Sequence, residues 1–171
     1  SPLHRHAHAA TMARPDALAG GSPPPVPSFA IRRTRLEQRL DDHADRHGNL
    51  VRGPAGAGKT VLVAQWAEAH TQPCAWLSID TTHNDPTVLL RRLVEAVAQL
   101  AAERSIVGRR VVAGGIDHTV LWNILDSVTH RLGSGITLVL DDVDRVHDRT
   151  ARHILELLVE HPPDDVRLVL V

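Results

Sequence analysis

The chain has 171 residues, which fits one domain of ordinary size, and its 43% hydrophobic and 23% charged residues exclude global disorder. Lys plus Arg is 19 and Asp plus Glu is 20, and this balance (net charge −1) lacks the basic excess of a dedicated nucleic-acid-binding domain. One cysteine excludes an internal disulfide framework, and no apolar run reaches the roughly 18 residues of a membrane span.

The first 30 residues are predicted to form a disordered leader rich in Pro and Ala. Six of the 11 prolines lie in this segment, and its composition offers little apolar area to offset the entropy of ordering. It lacks the apolar core of a secretory signal. His4, His6 and His8 could bind a metal, but no fourth ligand accompanies them, and a polar tail explains them more simply.

From residue 31 the pattern becomes globular. Thr34 followed by Glu37 has the spacing of a capping box and predicts a short helix over about residues 35–46. The next predicted elements are a strand over 49–52, a helix over 59–70 and a strand over 74–79. Trp66 and Trp76 are predicted to be core residues.

In the second half of the chain, Asp85 and Pro86 suit the N-cap and the first position of a helix that continues to about residue 103. Residues 104–118 are predicted to be irregular. They are followed by a helix over 120–132, a strand over 136–140, a helix over 149–160 and a strand over 166–171. This alternation of strands and helices predicts an α/β domain with a mainly parallel sheet.

The turn between the first strand and the next helix matches G-x-x-x-x-G-K-[ST] in full. Its glycines let main-chain amides approach phosphate oxygens, Lys59 (the only lysine of the chain) adds a positive charge, and the Thr60 hydroxyl suits Mg²⁺. Chance would produce this match well under ~5% of the time. The predicted nucleotide-contacting residues are Gly53, Pro54, Ala55, Gly56, Ala57, Gly58, Lys59, Thr60 and Val61.

Two acids follow the apolar strand over 136–140. Asp141 is the candidate that holds Mg²⁺ together with Thr60. Asp142 is the candidate that orients or activates the attacking water, and Lys59 is the second candidate catalytic residue. Acids in a solvated loop would be an equally good explanation if the phosphate-binding turn were absent. Asp144 and Asp148 are predicted to be a loop residue and an N-cap.

Five segments together resemble the ATPase core of the large LuxR-type (MalT-like) transcriptional regulators, which belong to the STAND class of P-loop ATPases. These segments are GPAGAGKTVLVAQWAE, CAWLSID, NDP, LVLDD and HPPDDVRLVLV, and the resemblance covers about residues 31–171. It implies a three-layer P-loop NTPase with strand order 5-1-4-3-2. The strand over 166–171 would then lie between the strand before the P-loop and the strand before Asp141. The fifth strand is expected beyond Val171, so that the ATPase core is incomplete at its C-terminus.

The resemblance also implies a function: an ATP/ADP switch in a signal-responsive regulator, with ATP or ADP and Mg²⁺ as cofactors. It implies an adenine nucleotide as partner, with the base near Ile31, Arg32 and Arg33, and DNA binding only through other domains. A cytoplasmic location and at most slow Mg-dependent hydrolysis are expected, and self-association of the full-length protein stays open. The sequence departs from the family at two places. Val61 replaces a second hydroxyl residue, which affects a supporting contact and not the main Mg²⁺ ligand, and residues 143–147 lack an aromatic-His pair, which makes the subfamily assignment weaker than the class assignment.

Three alternatives remain open at this point. The first is a remodelling or loader-type P-loop ATPase, which steady turnover and ring assembly would favour. The second is a non-enzymatic interaction domain with a vestigial nucleotide site, which the intact Lys59, Thr60, Asp141 and Asp142 argue against. A small-molecule kinase is a weaker third alternative, because no Arg-rich lid is evident.

Overall fold

The computed structural model describes residues 21–42, 48–101 and 117–171. The helices within these residues are α1 (Thr34–Asp41), α2 (Lys59–Ala69), α3 (Pro86–Ala98), α4 (His118–Leu132) and α5 (Arg149–Glu160). The strands are β1 (Gly48–Leu50), β2 (Cys74–Ser78), β3 (Ile136–Asp141) and β4 (Val166–Leu170). Most of the segment predicted to be irregular, up to residue 116, lies outside the described residues.

The four strands form one parallel sheet in the order β1-β4-β3-β2. The last strand of the chain therefore lies between β1 and β3, as the sequence predicted. In register, Leu170 is opposite Leu50 on one side and Leu140 on the other. This arrangement corresponds to the 1-4-3-2 part of the predicted P-loop NTPase order, and it brings the carboxyl ends of β1 and β3 to the same edge of the sheet.

Side-chain alternation along the strands explains the three layers. Leu138 and Leu140 of β3 belong to a buried cluster with residues of α3, α4 and α5 on one face of the sheet. Val139 and Trp76 point to the opposite face, where α1 and α2 cover them. All six residues of β3 are buried, as expected for a parallel strand with helices on both faces.

Three helices begin at an aspartate that accepts main-chain hydrogen bonds. Asp85 accepts from the amides of Thr87 and Val88 at the start of α3, and Asp148 does the same at the start of α5. Asp117 accepts from Val120 N at the start of α4. The predictions that Asp85 and Asp148 are N-caps are therefore confirmed.

The predicted capping box at Thr34 and Glu37 is wrong. Helix α1 begins at Thr34 itself, Arg33 occupies the N-cap position, and no side chain caps this end among the described residues. The reason is that the Glu37 carboxylate, which is almost fully buried, is taken by the Arg32 guanidinium at 2.5 Å (Oε2 to Nη2). The ion pair replaces the expected return bond to the main chain. Helix α1 ends at Asp41, and residues 43–47 lie outside the described part.

The segment before α1 runs along the domain. Gly21 forms an isolated antiparallel bridge with Trp76 of β2, and Val26 packs against the cluster on the α1–α2 face. Residues 1–20, with His4, His6 and His8, lie outside the described residues. The division between leader and core at residue 30 stays a prediction. None of the described helices combines the length and the apolar character needed to cross a bilayer.

Candidate functional site

The turn between β1 and α2 is built for close approach to its main chain. Gly56 and Gly58 have φ angles of 77° and 75°, in the left-handed region that residues with a Cβ adopt at a cost. Gly58 is the N-cap of α2, and within the described residues no side chain caps this helix. The amides of its first turn, at the positive end of the helix dipole, are therefore free to receive an anion.

A cleft of about 960 Å³ opens at this turn. Its walls come from the P-loop on one side and from residues 142–145 after β3 on the other. Of the predicted nucleotide-contacting residues, the cleft is lined by Gly53, Ala55, Gly56, Ala57, Gly58, Lys59, Thr60 and Val61. Pro54 does not line the cleft, and its carbonyl faces Lys59 instead. A volume of this size is ample for a nucleotide.

The Lys59 side chain folds back over its own loop. Its Nζ donates to the carbonyl oxygen of Gly53 at 2.9 Å and reaches that of Pro54 at 3.5 Å. These acceptors are neutral and exposed. Phosphate oxygens in the cleft would offer the ammonium stronger, charge-assisted hydrogen bonds. The lysine is therefore held within the P-loop and is free to exchange its partners.

Thr60, which lines the cleft, contacts Asp141 although the two are 81 positions apart in sequence: Thr60 Oγ1 donates to Asp141 Oδ1 at 3.1 Å. Asp141 lies behind Thr60 and is not itself among the residues that line the cleft. Asp141 ends β3 and is only 4% exposed. Burial raises the pKa of its carboxyl, the neighbouring Asp142 charge raises it further, and the Thr60 hydrogen bond acts against both. A divalent cation beside these two oxygens would favour the ionised carboxylate.

Asp142 has a backbone conformation that is rare for a residue with a side chain. Its φ is 61°, in the left-handed region. Its carboxylate lies on the cleft wall and pairs with Arg145, with 3.4 Å between Oδ2 and Nε. Strained residues of this kind cluster at functional sites. The structure thus places the two adjacent acids differently: Asp141 is buried against Thr60, and Asp142 is half-exposed in the cleft.

A second side chain on the P-loop was not predicted. Arg33 Nη1 donates to the carbonyl of Ala57 at 2.8 Å, which joins the segment before α1 to the P-loop. Only a main-chain role near the base was predicted for this segment, and its role toward a base stays a prediction. An arginine one residue before a helix carries no signal for such a contact. Asn84 was likewise assigned no role beyond the helix start.

A metal at this site would need ligands from outside the protein side chains. Among the described residues, no group of three or more His, Cys, Asp or Glu side chains is close enough to hold an ion. Thr60 and Asp141 provide two oxygens, and Mg²⁺ in phosphate-binding sites completes its shell with waters and phosphate oxygens. The residues present fit a magnesium ion that arrives with a polyphosphate.

Comparison with known proteins agrees with this geometry. The model of the AAA ATPase domain family matches residues 30–171. The chain belongs to the AAA ATPase domain family. Nucleotide binding is a property of such domains, and the match covers every residue of the cleft described above.

Several relatives of this AAA ATPase domain are large proteins. It is 30% identical over 124 residues to the HTH-type transcriptional regulator MalT of Vibrio cholerae, covering 71% of this chain and 14% of MalT. It is 28% identical over 176 residues to the serine/threonine-protein kinase PknK of Mycobacterium tuberculosis, covering 98% of this chain and 16% of PknK. MalT of Serratia proteamaculans is 29% identical over 142 residues, 81% of this chain.

These relatives confirm the predicted resemblance to the ATPase core of MalT-like regulators. The chain spans only 14% to 16% of the length of these proteins. The similarity therefore concerns one module that larger proteins contain.

Proposed function

We propose that this chain is the Mg-dependent ATP-binding module of a signal-responsive transcriptional regulator, in which it acts as an ATP/ADP switch. The observation that carries the proposal is the contact between Thr60 Oγ1 and Asp141 Oδ1, at 3.1 Å, beside the P-loop amides. A hydroxyl from the first turn of α2 and a carboxylate from the end of β3 converge where the outer phosphates of a nucleotide on the P-loop would lie.

Each residue of the cleft has a defined task in this proposal. The main-chain amides around Gly56 and Gly58 receive the phosphates, and Lys59 leaves its loop carbonyls to contact the outer phosphate oxygens. Thr60 and Asp141 hold Mg²⁺, which when bound neutralises charge on the phosphates. Asp142, on the opposite wall, orients the attacking water and accepts its proton.

The regulator part of the proposal is supported by the relatives. By their names, MalT is a transcriptional regulator and PknK is a protein kinase, so the part they share with this chain is a nucleotide module and not one particular output. The two MalT proteins match at 30% and 29% identity. DNA binding is accordingly assigned to other domains of the full-length protein, and adenine as the base is assigned by similarity.

The proposal is tested by titrating a fluorescent ATP analogue with Mg²⁺ into the chain and into Lys59→Ala. We expect the variant to bind at least tenfold more weakly, because a charge-assisted hydrogen bond contributes about 1.5–3 kcal/mol. Arg91→Ala removes another exposed cation, on α3 at the far face of the sheet, and should stay within twofold. Equal affinity in the chain and in Lys59→Ala would overturn the proposal.

The switch itself is tested by comparing Mg·ATP with Mg·ADP. The pattern of limited proteolysis or of amide hydrogen exchange should differ between the chain bound to Mg·ATP and the chain bound to Mg·ADP. The rate of ATP hydrolysis in a single turnover should be slow. Fast, steady turnover would favour a remodelling or loader-type ATPase instead. Absence of binding by either nucleotide would favour a vestigial site.

A further inference from the structure

Asn84 connects the loops that follow two neighbouring strands. It ends the short 3₁₀ turn Thr81–Asn84 after β2, and its amide nitrogen donates to Thr81 O at 3.2 Å within that turn. The same nitrogen donates to Arg145 O at 3.0 Å. The amide oxygen accepts from His147 N at 2.6 Å and from Asp148 N at 2.8 Å. Three of its four hydrogen bonds thus reach the loop after β3.

The loop that Asn84 holds is the one that carries Asp142. The Arg145 main-chain amide donates to Asp142 O at 3.1 Å, and its guanidinium forms an ion pair with the Asp142 carboxylate, with 3.4 Å between Nε and Oδ2. Asn84 fixes the carbonyl of the same Arg145. A continuous chain of contacts therefore leads from Asn84 through Arg145 to the carboxylate on the cleft wall.

A purely local role does not account for these contacts. A turn residue next to a helix N-cap needs one hydrogen bond within its own turn, and Asn84 has that bond to Thr81. The three bonds across to the second loop use both ends of its amide. They also act where the backbone needs support, because Asp142 holds an unfavourable φ of 61° that persists only when its surroundings enforce it.

We propose that Asn84 is a positioning residue for Asp142: it fixes the loop after β3 so that the carboxylate of Asp142 faces the terminal phosphate of the bound nucleotide. This inference rests on the proposed function, which assigns Asp142 to the attacking water. It adds a residue that touches neither nucleotide nor metal and acts through Arg145. Its loss should slow hydrolysis and leave binding unchanged.

The experiment measures two quantities on the full chain: affinity for the fluorescent ATP analogue with Mg²⁺, and the rate of ATP cleavage in a single turnover with protein in excess. Asn84→Ala removes all four bonds. Asn84→Asp keeps an oxygen for His147 N and Asp148 N but replaces the donor that faces Arg145 O. Thr82→Ala is the matched control, since within the described part of the chain its hydroxyl bonds only to Asp80 of the same turn, at 2.5 Å.

We expect both Asn84 variants to bind within twofold of the unmodified chain and to cleave ATP at least tenfold more slowly, with Thr82→Ala unchanged in both. Asp142→Asn should slow cleavage similarly. Combining it with Asn84→Ala should slow cleavage little further, because each change alone already removes the positioned Asp142 carboxylate. Asn84→Asp also covers the case in which Asn84→Ala does not fold.

Three results would overturn the inference. The first is cleavage at the unmodified rate in Asn84→Asp. The second is additive slowing in the double variant. The third is a chain that binds Mg·ATP normally but shows no cleavage, which would remove the role of Asp142 while leaving nucleotide binding intact. A chain that does not bind ATP at all would refute the proposed function first, so the two failures are distinguishable.

Discussion

At the scale of single residues, Asp141 shows how a binding site conflicts with stability. Its carboxyl is buried, and burial raises its pKa, so the fold without nucleotide favours the protonated acid more than the unfolded chain does. The stabilisation that the fold gains by binding this proton more tightly is fully present below the ordinary aspartate pKa of about 3.9. It is lost as the pH rises through the higher pKa of the folded state. At neutral pH, without nucleotide, the ionised carboxylate is therefore a cost to the fold.

Asp141→Asn should make the nucleotide-free chain more stable while weakening Mg·ATP binding. The amide keeps an oxygen for Thr60 and for the Asp142 amide but carries no charge. We expect a gain of about 0.5–2 kcal/mol in the free energy of unfolding at pH 7.5, the usual size for relieving such a conflict. Urea unfolding at several pH values measures it.

The gain should shrink as the pH falls toward the ordinary pKa of an aspartate, because the folded chain binds the Asp141 proton more tightly than the unfolded chain does. Asp144→Asn, which removes an exposed carboxylate three residues further along the chain, is the control and should change stability little. A nucleotide-free Asp141→Asn chain that is less stable at pH 7.5 would contradict this explanation.

The sequence predicted these residues unequally. Lys59, Thr60 and Asp141 were predicted because phosphate and magnesium chemistry requires their types at a fixed spacing or at a strand end. The ion pair of Asp142 with Arg145 was not predicted, because an arginine in a polar loop has many equivalent partners. The cross-loop bonds of Asn84 were hidden behind the helix start that it precedes.

At the scale of elements, the start of α3 is a test of a purely structural role. Asp85 accepts from Thr87 N at 2.9 Å and from Val88 N at 3.4 Å. Asp85→Ala should therefore lower the free energy of unfolding by about 1 kcal/mol. Asp85→Asn keeps an acceptor oxygen and should cost only a few tenths, because both residues are good N-caps. Urea unfolding separates the two variants.

Nucleotide affinity should be unchanged in both Asp85 variants, since Asp85 does not line the cleft. Weaker ATP binding by Asp85→Ala, with stability intact, would show that this residue has a role beyond capping. For the adjacent Asn84 we expect slower ATP cleavage and unchanged binding. The two neighbouring residues would then have different roles: Asp85 caps the helix, and Asn84 positions Asp142.

Elements with strong periodicity were predicted well, and their ends less so. Helix α2 was predicted over 59–70 and found over Lys59–Ala69, because the P-loop glycines set its start. The start of α1 was predicted wrongly, since Thr34 and Glu37 have the spacing of a capping box but Glu37 pairs with Arg32. Local spacing cannot reveal which of two partners a buried carboxylate takes.

At the scale of the whole molecule, the two faces of the sheet differ in character. The face toward α3, α4 and α5 carries the larger buried apolar cluster. The face toward α1 and α2 also contains a buried cation, Arg167 of β4, which is 9% exposed. The final strand was predicted from its apolar residues, and nothing local showed that its arginine would point inward.

Arg167 connects the central strand to both helices of its face. Its guanidinium lies 4.6 Å from the centroid of the Trp66 ring in α2 and donates to the carbonyl of Leu40 in α1. Trp66 in turn donates from Nε1 to Asp41 of α1 at 2.8 Å. Burial lowers the pKa of Arg167, with the charge of Asp41 opposing this shift, and arginine nevertheless stays protonated. The cation therefore contributes at any pH at which the domain folds.

Arg167→Ala should lower the free energy of unfolding by about 2–3 kcal/mol, because it removes a desolvated cation–π contact and a charge-assisted hydrogen bond. Arg167→Met keeps most of the apolar stem over Trp66 and should cost about half as much. Urea unfolding measures both, with Arg91→Ala as a surface control that should change little. If Arg167→Met were as destabilising as Arg167→Ala, the charge and not the packing would hold this face. If neither variant lost stability, α1 would be held to the sheet by its apolar contacts alone.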